Sequence, residues 1–281
     1  MVKLPTPTFI TGLICASYVS FLFLGPLLVV LFYSFHGRDY MGGITASWSL
    51  DGWRDVFSPY ILQILLRSGI VAGANTILCI LIGVPFALTI YRSHPAKKRL
   101  WFALLVLPLT INALLVAYSW QVLLGNAGVI NSMLLLSGLR DDPIVLLFRP
   151  GSVTVGLLGA YLPFFVAVFL TSLERLDAGY LQASQSLGAN EFQTLRKVIL
   201  PMSRPGLITG ALLVFLPSFA EYVIPDLLGG GKTFLVGNLA QFAFYEGRNW
   251  PAGAALMVTT IVMLSAFMIP AARYVRGVFS E

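Results

Sequence analysis

Apolar residues in this chain come in runs of bilayer length, not in the stripes of half-buried helices. Six such runs lie approximately at residues 11–35, 68–91, 100–124, 152–173, 205–227 and 252–272. A helix rises 1.5 Å per residue, so roughly 20 residues cross the ~30 Å hydrocarbon core of a bilayer. Every run reaches that length, and none alternates with the period of a barrel strand. The pattern predicts an all-α integral membrane protein with six transmembrane helices in a single domain spanning 1–281. The connections differ in kind. Residues 36–60 and 125–151 are punctuated by Gly, Asp and Pro, with short apolar pieces such as 144–148 that suit interfacial or re-entrant helices. Residues 174–204 are instead a long polar connection.

Composition agrees with this reading. Of 281 residues, 57% are hydrophobic and 11% charged, where a soluble domain carries about a quarter charged. Mean hydropathy is +0.84. The net charge of +6 does not point to nucleic acid once its placement is examined. With the N-terminus inside, the inner connections hold Lys3, Arg92, Lys97, Lys98, Arg99, Arg175, Arg196, Lys197, Arg204, Arg273 and Arg276. The outer ones hold only Arg38, Arg54, Arg140, Arg149, Lys232 and Arg248. This asymmetry puts both termini and the 174–204 connection in the cytoplasm. Lys3 ahead of the first run reads as the flank of a retained span and not as a cleaved leader. Arg67 reads as an arginine snorkelling to the outer interface.

Little catalytic chemistry is present. Cys15 and Cys79 sit in apolar runs and read as small buried side chains. His36 and His94 are isolated in separate loops and read as solvated, so no metal set is expected. The stretch 227–233, Leu-Leu-Gly-Gly-Gly-Lys-Thr, ends like a phosphate-binding loop, but Asp226 occupies the position where that motif requires its first glycine.

The polar connection is the informative part. A helical pattern through Leu181, Ser184 and Leu187 meets Gly188, the residue best suited to a left-handed helix end. Asn190 and Gln193 then form a capping-box pair. A second helix is predicted to run through Leu200 and stop at Pro201, with Pro205 opening the next span. Two short helices joined at a glycine are expected on the cytoplasmic face.

The residues Gln182-Ala183-Ser184, then Gly188-Ala189, then Ile199-Leu200-Pro201 resemble the EAA motif of bacterial ABC importer permeases. There the motif builds the coupling helices that dock into a groove of the ATPase subunit. Gln182 stands where the family has Glu, which removes a charge, and Ser184 where it has a second Ala. Segments 106–134 and 215–251 are similar to the spermidine/putrescine permeases, with Glu221 through Gly230 and Arg248-Asn249-Trp250-Pro251 the most specific parts. The resemblance implies the type I ABC importer permease fold in a bacterial inner membrane. It implies ATP and Mg bound by two separate ATPase subunits, with no cofactor on this chain and no catalysis by it. It further implies a homologous second permease subunit, a periplasmic or extracellular binding protein, and import of polyamines. Opines, amino-acid derivatives and inorganic ions are the substrates of related branches. An ion-gradient-driven transporter is the reading from another class.

Ionisable groups in a span are costly and mark functional candidates. Glu221 lies in the fifth run beside Phe219 and Tyr222, and Asp226 follows further out, with local unwinding expected at Pro225. Carboxylates with aromatic neighbours suit a protonated amine through charge pairing and cation–π contact. Asn112, Tyr118, Trp120 and Tyr161 are further candidates for the same path. A bond from Glu221 to a neighbouring helix is the competing reading.

Overall fold

The computed structural model describes residues 7–280; Lys3 lies outside them. Fourteen α-helices and one two-stranded hairpin follow one another among the described residues. They divide into two compact units.

The first unit comprises the chain up to Leu62 together with Leu239–Met263. Helix α1 (Pro7–Tyr33) is apolar on every side, and no residue of its Cys15–Tyr33 window is buried, as expected of a span that faces lipid. Cys15 is accordingly exposed, contrary to expectation, while Cys79 is buried. Strands β1 (His36–Arg38) and β2 (Ile44–Trp48) pair antiparallel, and α2 (Asp51–Val56) follows. His36 is not solvated. It is 5% exposed, its ring lies 4.1 Å from Phe32 and 5.0 Å from Trp48, and its Nδ1–H donates to the Phe32 carbonyl at 2.8 Å. The same carbonyl also accepts the Phe35 amide at 3.2 Å, so the ring adds a second donor at the end of α1. His94, by contrast, is exposed.

The second unit holds Gln63–Asn238 and the chain from Leu264 onward. Its helices are α3 (Pro59–Arg92), α4 (Pro95–Val106), α5 (Ala113–Leu124), α6 (Val129–Leu136) and α7 (Pro150–Glu174). Then come α8 (Ala178–Ser186), α9 (Glu191–Thr194), α10 (Leu200–Met202), α11 (Arg204–Ala220) and α12 (Val223–Gly229). Helices α13 (Val236–Tyr245) and α14 (Trp250–Ser280) complete the chain. Five helices, or six when one bent pair is counted, are long and apolar enough to cross a membrane.

Two expected elements differ. The third apolar run is divided: α4 ends in a short 3-10 turn over Leu107–Thr110, Ile111 is extended, and Asn112 caps α5 by accepting the Leu114 amide at 2.8 Å. Pro108 has no amide to carry the helix on, and an asparagine cap starts a new one. The stretch long and apolar enough to span is therefore Ala113–Leu136, made of α5, α6 and the turn between them. Residues 144–148 form no helix. Fully buried Asn131 takes both backbone groups of Ile144, accepting its amide at 2.8 Å and donating to its carbonyl at 3.0 Å, so that segment is held non-helical.

Helix α7 is the central element of the second unit. Phe165, Val166, Phe169 and Leu170 on it pack with Cys79, Ala87 and Ile90 of α3 and Val214 of α11. Towards its start, Val153 and Leu157 pack with Ala117 of α5 and Ile224 and Leu228 of α12. Gly156 allows that second contact, because a Cβ there would lie 2.9 Å from Ile224 Cγ2 and closer still to Leu228. Gly156→Leu is therefore expected to lower thermal stability by about 1–3 kcal/mol through overpacking. Gly151→Ala, on the same helix with no neighbour within 4 Å, should be neutral or slightly stabilising through helix propensity. Melting of the two purified variants in detergent checks the contrast.

Candidate functional site

Two neighbourhoods hold the residues singled out in the sequence. The first is the polar connection. Asp177 opens α8 by accepting the Gly179 amide at 2.8 Å. The helix closes where Gly188 donates to Gln185 at 2.9 Å and Ala189 to Ser184 at 3.1 Å. Gly188 has φ +79°, a conformation that side chains rarely adopt. Asn190 and Gln193 then bond reciprocally at 2.8 and 3.0 Å, the predicted capping box. The buried hydroxyls of Ser184 and Thr194 meet at 2.8 Å across the elbow. Ser184 thus makes a bond between the two helices that an alanine could not.

The second helix does not stop at Pro201. After α9 the chain widens into a π-helical turn over Leu195–Ile199, continues through Pro201 to Met202, and bends by 76° at Ser203 into α11. A proline ring inside a helix clashes with the carbonyl four residues back, and one widened turn just before it relieves that crowding. Leu181, Leu195 and Leu200 anchor the elbow on the core. Gln182 and Ala183 face outward. So do Leu187, 87% exposed, and Phe192, 67% exposed. Glu191 pairs with Arg92 at 3.2 Å, tying the elbow to the end of α3.

The second neighbourhood is a break between α11 and α12. Helix α11 ends at Ala220, Glu221 is extended with ψ 134°, and α12 restarts at Val223. The interruption lies at Glu221–Tyr222 and not at Pro225. Pro225 falls in the first turn of α12, where an amide has no intrahelical partner to lose. Glu221 itself stabilises the break. Its Oε1 accepts the amides of Tyr222 at 3.2 Å and Val223 at 3.0 Å, and its Oε2 accepts the Tyr161 hydroxyl at 2.5 Å. Asn238, 3% exposed, donates to the Tyr222 carbonyl at 3.0 Å, beside the Asp226 amide that the same oxygen accepts at 3.0 Å, and accepts the Leu235 amide at 3.3 Å. Gly237 packs against the same backbone; a Cβ there would sit 2.7 Å from the Glu221 carbonyl oxygen. Ser68 of α3 accepts the Val236 amide at 2.8 Å, and Asn75 donates to Ser218 at 2.9 Å, both fully buried.

The structure thus joins Tyr161 to Glu221, and Trp120 packs into the same cluster as Tyr161. Phe219 is buried, and its ring lies 6.1 Å from Phe215. Tyr222 and Asp226 are exposed, and Asp226 and Glu221 share no hydrogen bond among the described residues. Tyr118 is also exposed, and Asn112 is engaged as a helix cap. Of the two readings of Glu221, its bond to a neighbouring helix is the one seen in this conformation. Asn238, Ser68 and Asn75 were not anticipated. Asn75 carries a signal, a polar amide in the middle of an apolar run; Asn238 carries none. The glycine-rich stretch after α12 is a turn with Gly230 and Gly231 at positive φ. The Lys232 carbonyl within it accepts Arg67 at 3.3 Å, so Arg67 is held by backbone. Among the described residues no three His, Cys, Asp or Glu side chains gather as a metal set would.

Asn238→Ala should lower stability by about 1–3 kcal/mol, because it leaves the amide of fully buried Leu235 unpaired and removes one of the two donors to the Tyr222 carbonyl. Tyr161→Phe should cost less, since the two backbone amides still hold Glu221. Thermal unfolding of the purified variants orders the two.

Comparison with known proteins agrees with this architecture. Residues 7–278 match the family described as binding-protein-dependent transport system inner membrane component. The spermidine/putrescine transport system permease protein PotB of Haemophilus influenzae is 38% identical over 91% of this chain and 90% of its own length. The PotB of Escherichia coli is 34% identical over 89% and 91%. Among solved structures, a chain of a bacterial ABC transporter involved in the import of the acidic polysaccharide alginate superposes with a TM-score of 0.76 at 16% identity, over 95% of this chain and 94% of that one. A chain of the inward-facing MetNI methionine ABC transporter gives 0.55 at 19% identity, over 79% and 99%. These two share the fold, which is the expected type I importer permease architecture. The chain belongs to the family of binding-protein-dependent transport system inner membrane components.

Proposed function

We propose that the chain works as a single permease domain in an ATP-driven importer of polyamines, with the elbow around Gly188 as its contact with an ATPase. One observation carries the coupling role. On a polar segment whose own core is already filled by Leu181, Leu195 and Leu200, Leu187 and Phe192 remain 87% and 67% exposed. Apolar side chains on a rigid helix pair suit a groove on a partner. Gln182 and Ala183 lie on the same outward surface, which supports the EAA-like assignment of residues 182–184, 188, 189, 200 and 201. Loss of the family carboxylate at Gln182 removes a charge pair but leaves the shape of the elbow intact.

In this reading both termini and the elbow are cytoplasmic, following the placement of basic residues. A homologous permease subunit completes the path, a binding protein delivers substrate from outside, and two ATPase subunits bind ATP and Mg. The permease performs no chemistry itself. Polyamine as substrate is supported by the 38% and 34% identity to spermidine/putrescine permeases along nearly the whole chain. The ion-gradient alternative loses its ground, because the family is dependent on binding proteins.

Glu221 fits a cation path. Its carboxylate sits at a helix break with Tyr161 on one oxygen and two amides on the other. A protonated amine entering there would exchange with the Tyr161 hydroxyl, while the amides keep the carboxylate in place. Trp120, Phe219, Tyr222, Asp226, Tyr118 and Asn112 remain weaker members of the proposed path.

Gly188→Pro is expected to abolish ATP-coupled uptake while membrane insertion persists. Proline holds φ near −65°, against +79° here, and removes the amide bonded to Gln185. Unimpaired uptake in vesicles would sink the coupling role. Glu221→Gln should reduce spermidine uptake about tenfold or more, as expected when a desolvated charge pair worth some 2 kcal/mol is lost. Equal residual uptake of cationic and anionic solutes would remove Glu221 from the path.

A further inference from the structure

We propose that a groove between the end of α3, the start of α4 and the end of α7 binds an anionic phospholipid. The groove encloses about 720 Å³. Phe102, Ala103 and Leu170 give it an apolar wall, and Lys98 and Arg99 form a cationic rim. Of the two rim residues, Lys98 is fixed in place. Lys98 bonds to Glu174 at 2.7 Å and lies 5.6 Å from the centre of the Tyr91 ring. Lys97 and Arg99 are exposed and form no ion pair among the described residues.

The local electrostatics favour an added anion. Lys97, Lys98 and Arg99 stand consecutively near the start of α4, where no acidic residue is present. Cations belong at the opposite end of a helix, and Glu174 neutralises only one of the three. A phosphodiester at the rim would supply the missing negative charge. The surface beyond the rim distinguishes a lipid from a soluble anion. Phe102, which lines the groove one turn beyond Lys98, is itself 43% exposed, so an acyl chain would continue from the charged rim onto an apolar side chain. A basic rim above an apolar groove between spans is the arrangement that recognises acidic lipid headgroups.

The test uses the full chain purified with whatever subunits remain bound, titrated with phosphatidylglycerol or phosphatidylcholine and read by native mass spectrometry. Each basic residue near such a surface contributes about fivefold in affinity, so the wild type should prefer phosphatidylglycerol by about tenfold or more. Lys97→Gln combined with Arg99→Gln should bring the two lipids within about twofold. Lys98 is left intact so that Glu174 keeps its partner. Ala103→Trp, which retains every charge but fills the groove, should lose the preference as well. Equal binding of the two lipids by the wild type would overturn the proposal, as would an unchanged preference in either variant. Displacement of phosphatidylglycerol by millimolar inorganic phosphate would reassign the groove to a soluble anion.

Discussion

A helix interrupted inside an apolar environment frees backbone amides and carbonyls that no water can satisfy. The break at Glu221–Tyr222 is organised around that constraint. Glu221 accepts the amides of Tyr222 and Val223 where α12 begins, Asn238 donates to the Tyr222 carbonyl, and Gly237 brings the chain close enough for the bond to form. The same neighbourhood extends to α3 through Ser68, which accepts the Val236 amide. Each of these residues is small, or polar with a defined partner, and none is replaceable by a generic apolar side chain. The energetic weight lies less in the bonds made than in the cost of leaving their groups unmade.

The same constraint has a different solution at the elbow. There, water is within reach, so short helices end by local chemistry: a glycine at positive φ, a capping box and a hydroxyl pair. What holds the elbow to the bundle is apolar, through Leu181, Leu195 and Leu200. Helix α11 then leads from the bend at Ser203 to the break at Glu221 in one 17-residue stretch. It packs along α7, with Gly206 against Ser172 and Gly210 against Phe165. On the proposed reading, one stiff element links the surface that meets the ATPase to the carboxylate on the substrate path. That is the geometry alternating access requires of a coupling helix.

The groove beside α4 belongs to the same economy of charge. Basic residues that bias topology are usually free in water. Here one of them is bound to Glu174 and its neighbours border an apolar cleft. On the proposed topology, residues that orient the protein in the membrane would also define the surface proposed to take a lipid.

Local chemistry in the sequence was enough to determine the helical membrane class, the helix–Gly188–helix elbow, the capping box and the presence of an ionisable group, Glu221, within an apolar run. Those features depend on neighbours within a few residues or on the length of an apolar run. Packing decided the rest. Ser184 reads as a departure from a motif until Thr194, ten residues away, is seen to meet it. His36 reads as solvated until Phe32 and Trp48 close over it. The break falls at Glu221 and not at Pro225 because Tyr161 of α7 and Gly237 and Asn238 of α13 converge there from two other helices. A proline marks where a helix loses one amide. Only the tertiary structure shows where enough partners gather for a helix to end.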